Sequence, residues 1–227
     1  MNWQALWLTF QLAALVAGIL LVIGLPIAHW IAFSRWRGKF LIEALVALPI
    51  VLPPTVLGFY VLIALGSRSP IGRAWAHFTG HPLAFTFQGL VIGSVLYSLP
   101  FAVQPFASGF AAVNPRLLAA SATLGASKVK TFWRVILPLS IPSVITGVVL
   151  SFAHTLGEFG VVLMVGGDIP GATRTISIDI YDKVQALDYA SANATALLLL
   201  LLSFVMLAVV YGLNRRGSNR RVGMVGR

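Results

Sequence analysis

Few side chains in this 227-residue sequence could do chemistry, and the notable ones sit inside long apolar runs. His154 and Glu158 are four residues apart, and with Gly147 and Ser151 they recur at +4, +3, +4, one stripe of a helix. Ser94, Tyr97, Gln104 and Ser108 recur similarly in an earlier run. An acidic residue at the centre of a membrane helix costs about 2.5 to 3.5 kcal/mol and marks a functional position by default. The two stripes are therefore expected to face one water-filled path, offering hydroxyls, an imidazole and a carboxyl. The competing role for the serines is hydrogen bonding between helices. Nothing equips these groups for covalent or nucleotide chemistry. The sequence contains no G-x-x-x-x-G-K-[ST], no H-E-x-x-H and no G-x-S-x-G, so no P-loop, zinc-protease or serine-hydrolase set is present. His77 and His81 form a pair without a third ligand, and cysteine is absent, so neither a metal nor another cofactor is expected.

The elements that must position these residues follow from composition. With 58% hydrophobic residues, 10% charged residues and a mean hydropathy of +0.90, the chain lies far from the soluble norm of about 25% charged. It reads as an all-α polytopic membrane protein. Its net charge of +10 is scattered in short clusters beside apolar runs, which suits a membrane boundary and not nucleic acid. A spanning helix needs about 20 apolar residues. Five stretches qualify: 7–33, 41–65, 84–113, 136–165 and 191–213. The first has no preceding Lys or Arg and outruns a signal-peptide core, so it is expected to be retained. Pro49, Pro53, Pro54, Pro100 and Pro105 remove backbone donors and favour kinks, which are tolerated where a helix lines a cavity; Pro53, Pro54 and Thr55 are expected there.

Five spans put the termini on opposite sides. Twelve of the 16 Lys and Arg fall on one side and four on the other, so the first side is expected to be cytoplasmic, with the N-terminus external and the C-terminus inside. The spans and their connections form one membrane domain, 1–216, followed by a basic tail, 217–227, expected to be disordered. In the external loop 166–190, Ile176, Ile180, Val184 and Leu187 recur at helical spacing, as in a helix lying on the membrane surface or under a partner.

The stretch 114–135 interrupts the hydrocarbon with Lys128, Lys130 and Arg134. Asn114-Pro115 is a helix start, with an N-cap and proline at the first position. Small Ala119, Ala120 and Ala122 would let another backbone approach, and Gly125 turns the chain. A side chain at 125 is expected to fill that turn. A second short helix, SKVKTFWRVIL, then leads into Pro138. A short helix, a glycine corner and another short helix are shaped to fit a groove in a partner.

AASATLGASKVKTFWRVILP resembles the cytoplasmic "EAA" loop of binding-protein-dependent ABC transporter permeases, with Gly125, Val135, Leu137 and Pro138 at the matching spacing and Ala119 where that pattern has an acid. HTLGEFG (154–160), GGDIPGATRTISIDIY and ALPIVLPPTVLGFYVL (47–62) resemble the permease subunits of molybdate/tungstate importers. The resemblance implies a type I ABC importer permease core with five transmembrane helices in the cell (inner) membrane. Its implied partners are a second copy of the chain, two copies of a cytoplasmic ATP-binding subunit, an external oxyanion-binding protein and membrane lipid. ATPase activity would lie on the separate subunit, and this chain would not be an enzyme. Some relatives carry an additional N-terminal span, after which this sequence is expected to begin. The ATPase-coupling residues carried over are Ala119, Ala120, Gly125, Ala126, Lys128, Trp133, Arg134, Leu137 and Pro138. The translocation path and gate are expected at Pro53, Pro54, Thr55, Ser94, Ser151, His154, Glu158, Phe159 and Gly160. A carboxylate repels a dianionic oxyanion, so Glu158 is expected at a gate or bonded to a neighbouring span. No Lys or Arg lies in the apolar runs, which assigns tight anion binding to the separate binding protein. A sulfate-type oxyanion permease is the nearest alternative. A stand-alone secondary transporter, with His154 and Glu158 as a proton relay, would have no use for the glycine-cornered element.

Overall fold

Asn2 opens the first helix by accepting the amide proton of Ala5, and α1 (Trp3–Phe33) then runs 31 residues to Ser34. At 1.5 Å per residue that is roughly 46 Å, enough to cross a bilayer with length to spare. This computed structural model describes residues 2–225, and no strand occurs among them. After α1 come α2 (Lys39–Val51), α3 (Pro54–Leu65), α4 (Pro70–Thr79), α5 (Phe87–Ala111), α6 (Pro115–Thr123), α7 (Lys128–Thr131), α8 (Leu137–Leu156), α9 (Gly160–Gly166), α10 (Ile176–Gln185) and α11 (Tyr189–Val225). Among the described residues four helices are long and apolar enough to span a membrane, or five if α2 and α3 count as one broken span.

Helices α1, α5 and α8 pack mutually at the centre, with α2 against α5, α3 against α9 and α11 against α8 and α10. Lipid tails are as apolar as leucine, so this packing is held by close fit and not by escape from water. Leu12, Val16 and Leu20 of α1 meet Val103, Phe106 and Phe110 of α5 in a core they leave almost no exposed surface. A Cβ added at Gly147 would lie 2.5 Å from the Phe106 ring and 2.8 Å from the Ala102 carbonyl oxygen, so α8 meets α5 nearly backbone to backbone. Ser140 adds a hydrogen bond to the Gly109 carbonyl, 3.0 Å.

The stretch 41–65, expected as one span, turns through 112° between α2 and α3. The reason is local: Leu52 closes α2 on Leu48, and consecutive prolines at 53 and 54 cannot donate to continue it. Pro100 and Pro105 do not have that effect, since α5 is continuous through both. The stretch 136–165 also breaks, at Gly157–Phe159, before restarting as α9. α7 does not end in a corner; residues 132–136 form a π-helical turn that carries it directly into α8. α4, capped by Ser69 with Pro70 at its first position, was not anticipated.

The expected surface helix at 176–190 is shorter and deeper than its pattern suggested. α10 ends at Gln185, and Leu187 takes a left-handed φ of 60°. Ile176, Ile178 and Asp179 are buried, whereas Val184 and Leu187 are exposed. The pattern was misleading because the buried face includes a carboxylate: Asp179 pairs with Lys183 at 2.6 Å and accepts from Asn2 at 3.1 Å. α11 has helical backbone to Val225, into the stretch expected to be a disordered tail, and residues 226 and 227 lie outside the described residues.

Candidate functional site

The two chain breaks, a hundred residues apart in sequence, meet. At Gly160 a Cβ would lie 2.6 Å from Pro54 Cβ and 3.4 Å from the Thr55 nitrogen, so only a residue without a side chain lets the start of α9 seat against the start of α3. Between them opens a cavity of about 530 Å³ lined by Pro54, Thr55, Tyr97, Ala153, His154, Gly157, Glu158, Phe159 and Gly160. Irregular backbone at membrane depth belongs beside such a cavity.

Six of the expected path residues line it directly: Pro54, Thr55, His154, Glu158, Phe159 and Gly160. Pro53 makes the bend behind it. His154 stacks on Phe101, with ring centroids 3.9 Å apart, and its Nδ1 lies 3.0 Å from the Ser98 hydroxyl. Ser98 also reaches Thr155 Oγ1 at 2.9 Å, joining α5 to α8 through a chain of hydroxyls. Glu158 is 4% exposed, and the buried Ser94 hydroxyl faces its carboxyl from α5, outside strict hydrogen-bond geometry. Ser151 stands apart: buried, it donates to the Val148 carbonyl of its own helix at 3.0 Å and does not line the cavity. Of the stripe on α5, Tyr97 reaches the cavity, while Gln104 and Ser108 are exposed elsewhere. Ser98 and Gly157 were missed by sequence reasoning. Gly157 lies inside the HTLGEFG motif at 154–160, whereas no signal marked Ser98.

No lysine or arginine lines this cavity. Organised charge lies outside the apolar segments, where Nε and Nη2 of Arg174 hold Asp168, and Asp182 lies 3.5 Å from the same guanidinium. The Arg174 hydrogen bonds hold the Asp168 carboxyl below its ordinary range, while burial, joined by the neighbouring Asp168, pushes Asp182 up. Among the described residues no group of three or more metal-ligating side chains occurs.

A second constellation lies at the glycine corner. Asn114 caps α6 by accepting the Arg116 amide at 2.9 Å. Gly125 adopts φ +72°, and the amides of Leu124, Gly125 and Ala126 close back on Ala120, Ala122 and Ser121. The Ser121 and Thr131 hydroxyls, 2.8 Å apart, tie α6 to α7. The outer surface is apolar at its tip: Leu124 is 86% exposed, with Val129 and Trp133 also exposed. Ala119, Ala120 and Arg134 are exposed, whereas Ala126 and Lys128 line a cleft against His29 and Trp30 of α1. Trp133, Leu137 and Pro138 border an apolar groove beside α1.

A membrane-spanning helical core with paired chain breaks and an exposed elbow defines a transporter permease fold. Residues 8–219 match the binding-protein-dependent transport system inner membrane component, and the chain belongs to that family of integral membrane proteins. It is 50% identical over 211 residues to the molybdenum transport system permease protein ModB of Azotobacter vinelandii, covering 93% of each chain. It is 36% identical to a putative molybdenum transport system permease protein, YvgM, of Bacillus subtilis, over 88% of each. It is also 34% identical to the sulfate transport system permease protein CysT of Salmonella typhimurium, over 93% of this chain and 76% of that one. In fold it resembles a bacterial ABC transporter involved in the import of the acidic polysaccharide alginate, with a TM-score of 0.71 at 19% identity, covering 94% of this chain and 78% of that one.

Proposed function

We propose that this chain is the permease subunit of an ATP-driven importer that carries molybdate or tungstate. Two copies form the path, two cytoplasmic ATP-binding subunits engage the elbows, and an external binding protein delivers the oxyanion. The observation that carries this reading is the half-identity, over nearly the whole chain, to a molybdenum transport permease. The site chemistry agrees with it. A cavity lined by the hydroxyls of Thr55 and Tyr97 and by the Glu158 carboxyl, with no cation, offers an oxyanion no strong site, which leaves selectivity to the binding protein and suits Glu158 to a gate. The elbow, with apolar residues exposed at its tip, has the form of a part made to be covered. The distribution of Lys and Arg supports a cytoplasmic elbow and C-terminus, with α4 and α10 outside.

The deciding experiment reconstitutes the permease with its ATP-binding subunit and binding protein in proteoliposomes. Labelled molybdate should enter at low concentration, only with ATP hydrolysis, without response to an imposed proton gradient, and with little inhibition by excess sulfate. The likeness to a sulfate permease supports one second reading, transport of sulfate. Efficient sulfate competition with background molybdate uptake would select it. Uptake that follows the proton gradient without nucleotide would refute both.

A further inference from the structure

The break between α8 and α9 is gripped by a helix that belongs to neither. Ser177 of α10 donates its hydroxyl proton to the carbonyl oxygen of Glu158, and its oxygen lies 3.0 Å from the Thr175 hydroxyl, which can donate to it in turn. One helical turn further on, the Tyr181 ring lies 5.0 Å from the Phe159 ring at a 42° tilt. α10 therefore holds two consecutive residues of the break, one by its backbone and one by its side chain. Left to itself the break is weakly closed, since the amides of Gly157 and Glu158 reach Ala153 and Thr155 only at 3.4 Å.

α10 is itself firmly anchored. The Ile176 amide donates to Thr9 Oγ1 at 2.8 Å, and the Asn2 side chain donates to Asp179 at 3.1 Å, both fixing it to α1 and its cap. Lys183 donates to Asp179 at 2.6 Å and to Thr195 of α11 at 3.1 Å. The part-buried Asp179–Lys183 pair is thus bonded both to the cap of α1 and to α11, so α10 is tied to two long helices as well as to the break.

We propose that Ser177 and Tyr181 are positioning residues of the transport path, holding the Glu158–Phe159 break closed over the cavity through α10. Movement of α10 then becomes movement of the break. The direction of this coupling, from outside inward, rests on the topology of the proposed function; the brace does not.

The sequence has no cysteine, so a single Gly157→Cys substitution places one thiol at the cavity wall. It fits, because the nearest atoms to a Cβ there are carbonyl oxygens at 3.9 and 4.0 Å. The complete transporter is assembled in nanodiscs, where both faces are accessible, and the rate of maleimide labelling is measured. Loss of one hydrogen bond or ring contact at the break should raise that rate roughly three- to tenfold in Ser177→Ala and in Tyr181→Leu. Ser177→Thr, which keeps a hydroxyl, should restore the parental rate. A thiol at the exposed Phe78, introduced by Phe78→Cys, should label equally in every background. Unchanged labelling at 157 in both Ser177→Ala and Tyr181→Leu, or a parallel rise at 78, would overturn the brace. Molybdate uptake is assayed with the unsubstituted transporter, whose failure to transport counts against the function, while the labelling ratio in the Gly157→Cys background still decides the brace.

Discussion

Substituting Gly125 separates two jobs that the elbow gives to one residue. Its φ of +72° is left-handed, where a Cβ costs roughly 1–2 kcal/mol and asparagine is tolerated better. A Cβ built there meets nothing within 4 Å, so within this chain the only cost is backbone strain, and the turn is not filled as the sequence suggested. Three backbone hydrogen bonds of 3.0 to 3.1 Å and the Ser121–Thr131 bond of 2.8 Å hold the elbow against that strain. At about 1 kcal/mol net for each bond, they outweigh it. Gly125→Asn should therefore insert, fold and keep the elbow, with Gly125→Ala somewhat less stable. Any collision of the new side chain must come from a partner seated against the open side. Both variants should bind the ATP-binding subunit at least about tenfold more weakly, a change of roughly 1.4 kcal/mol, and lose ATP-driven uptake. Affinity is measured between the purified subunit and permease in nanodiscs, beside the thermal midpoint of the permease alone. Wild-type affinity and uptake in Gly125→Asn, with weakening only in Gly125→Ala, would show that the glycine serves its φ alone and would refute close approach.

Gly147→Leu should lower the thermal midpoint in detergent by an overpacking cost of at least about 1–3 kcal/mol, because the Ala102 carbonyl at 2.8 Å cannot swing aside as a ring can; an unchanged midpoint would contradict the α5–α8 contact. Thr9→Val removes the acceptor of the buried Ile176 amide and should cost about 1–3 kcal/mol, seen as faster amide exchange across α10, whereas unaltered exchange would argue against the anchor. Asp168 is held below its ordinary range by Arg174, so its contribution is present above the unfolded pKa of about 3.9 and is lost as pH falls through the lower folded value. Pepsin cleavage within 166–190 should accordingly rise toward the acid end in the wild type. Arg174→Gln should flatten that dependence, and equal pH profiles would discount the pair.

What was legible in the sequence was whatever depends on neighbours a few residues away. Asn114-Pro115, Gly125 and Ser127 announce the elbow because capping and left-handed turns act within one helical turn. The double proline at 53–54 marked one place where backbone could become irregular, whereas the break at 157–159 falls inside a stretch expected as one continuous helix, with Glu158 on the stripe of His154. Ser69-Pro70 carried the same kind of signal for α4 and was passed over.

The sequence by itself determined that this chain spans a membrane as helices, because continuous runs of about 20 apolar residues lack the in–out alternation of barrel strands and satisfy their backbone groups in lipid as helices. It also determined the elbow, and through the likeness of its motifs the family. Only the tertiary structure decided which apolar residues form the core. Val16 and Val22 of α1 are chemically identical, yet one is fully buried and the other 72% exposed, because lipid and protein interior favour the same side chains. It also decided that the breaks at 52–53 and 157–159 meet, that Ser98 and Ser177 belong beside them, and that Ser151 bonds within its own helix. Periodicity tells which residues share a face of one helix; what that face meets is set by the packing of helices distant in sequence, where half a turn of rotation exchanges lipid for cavity.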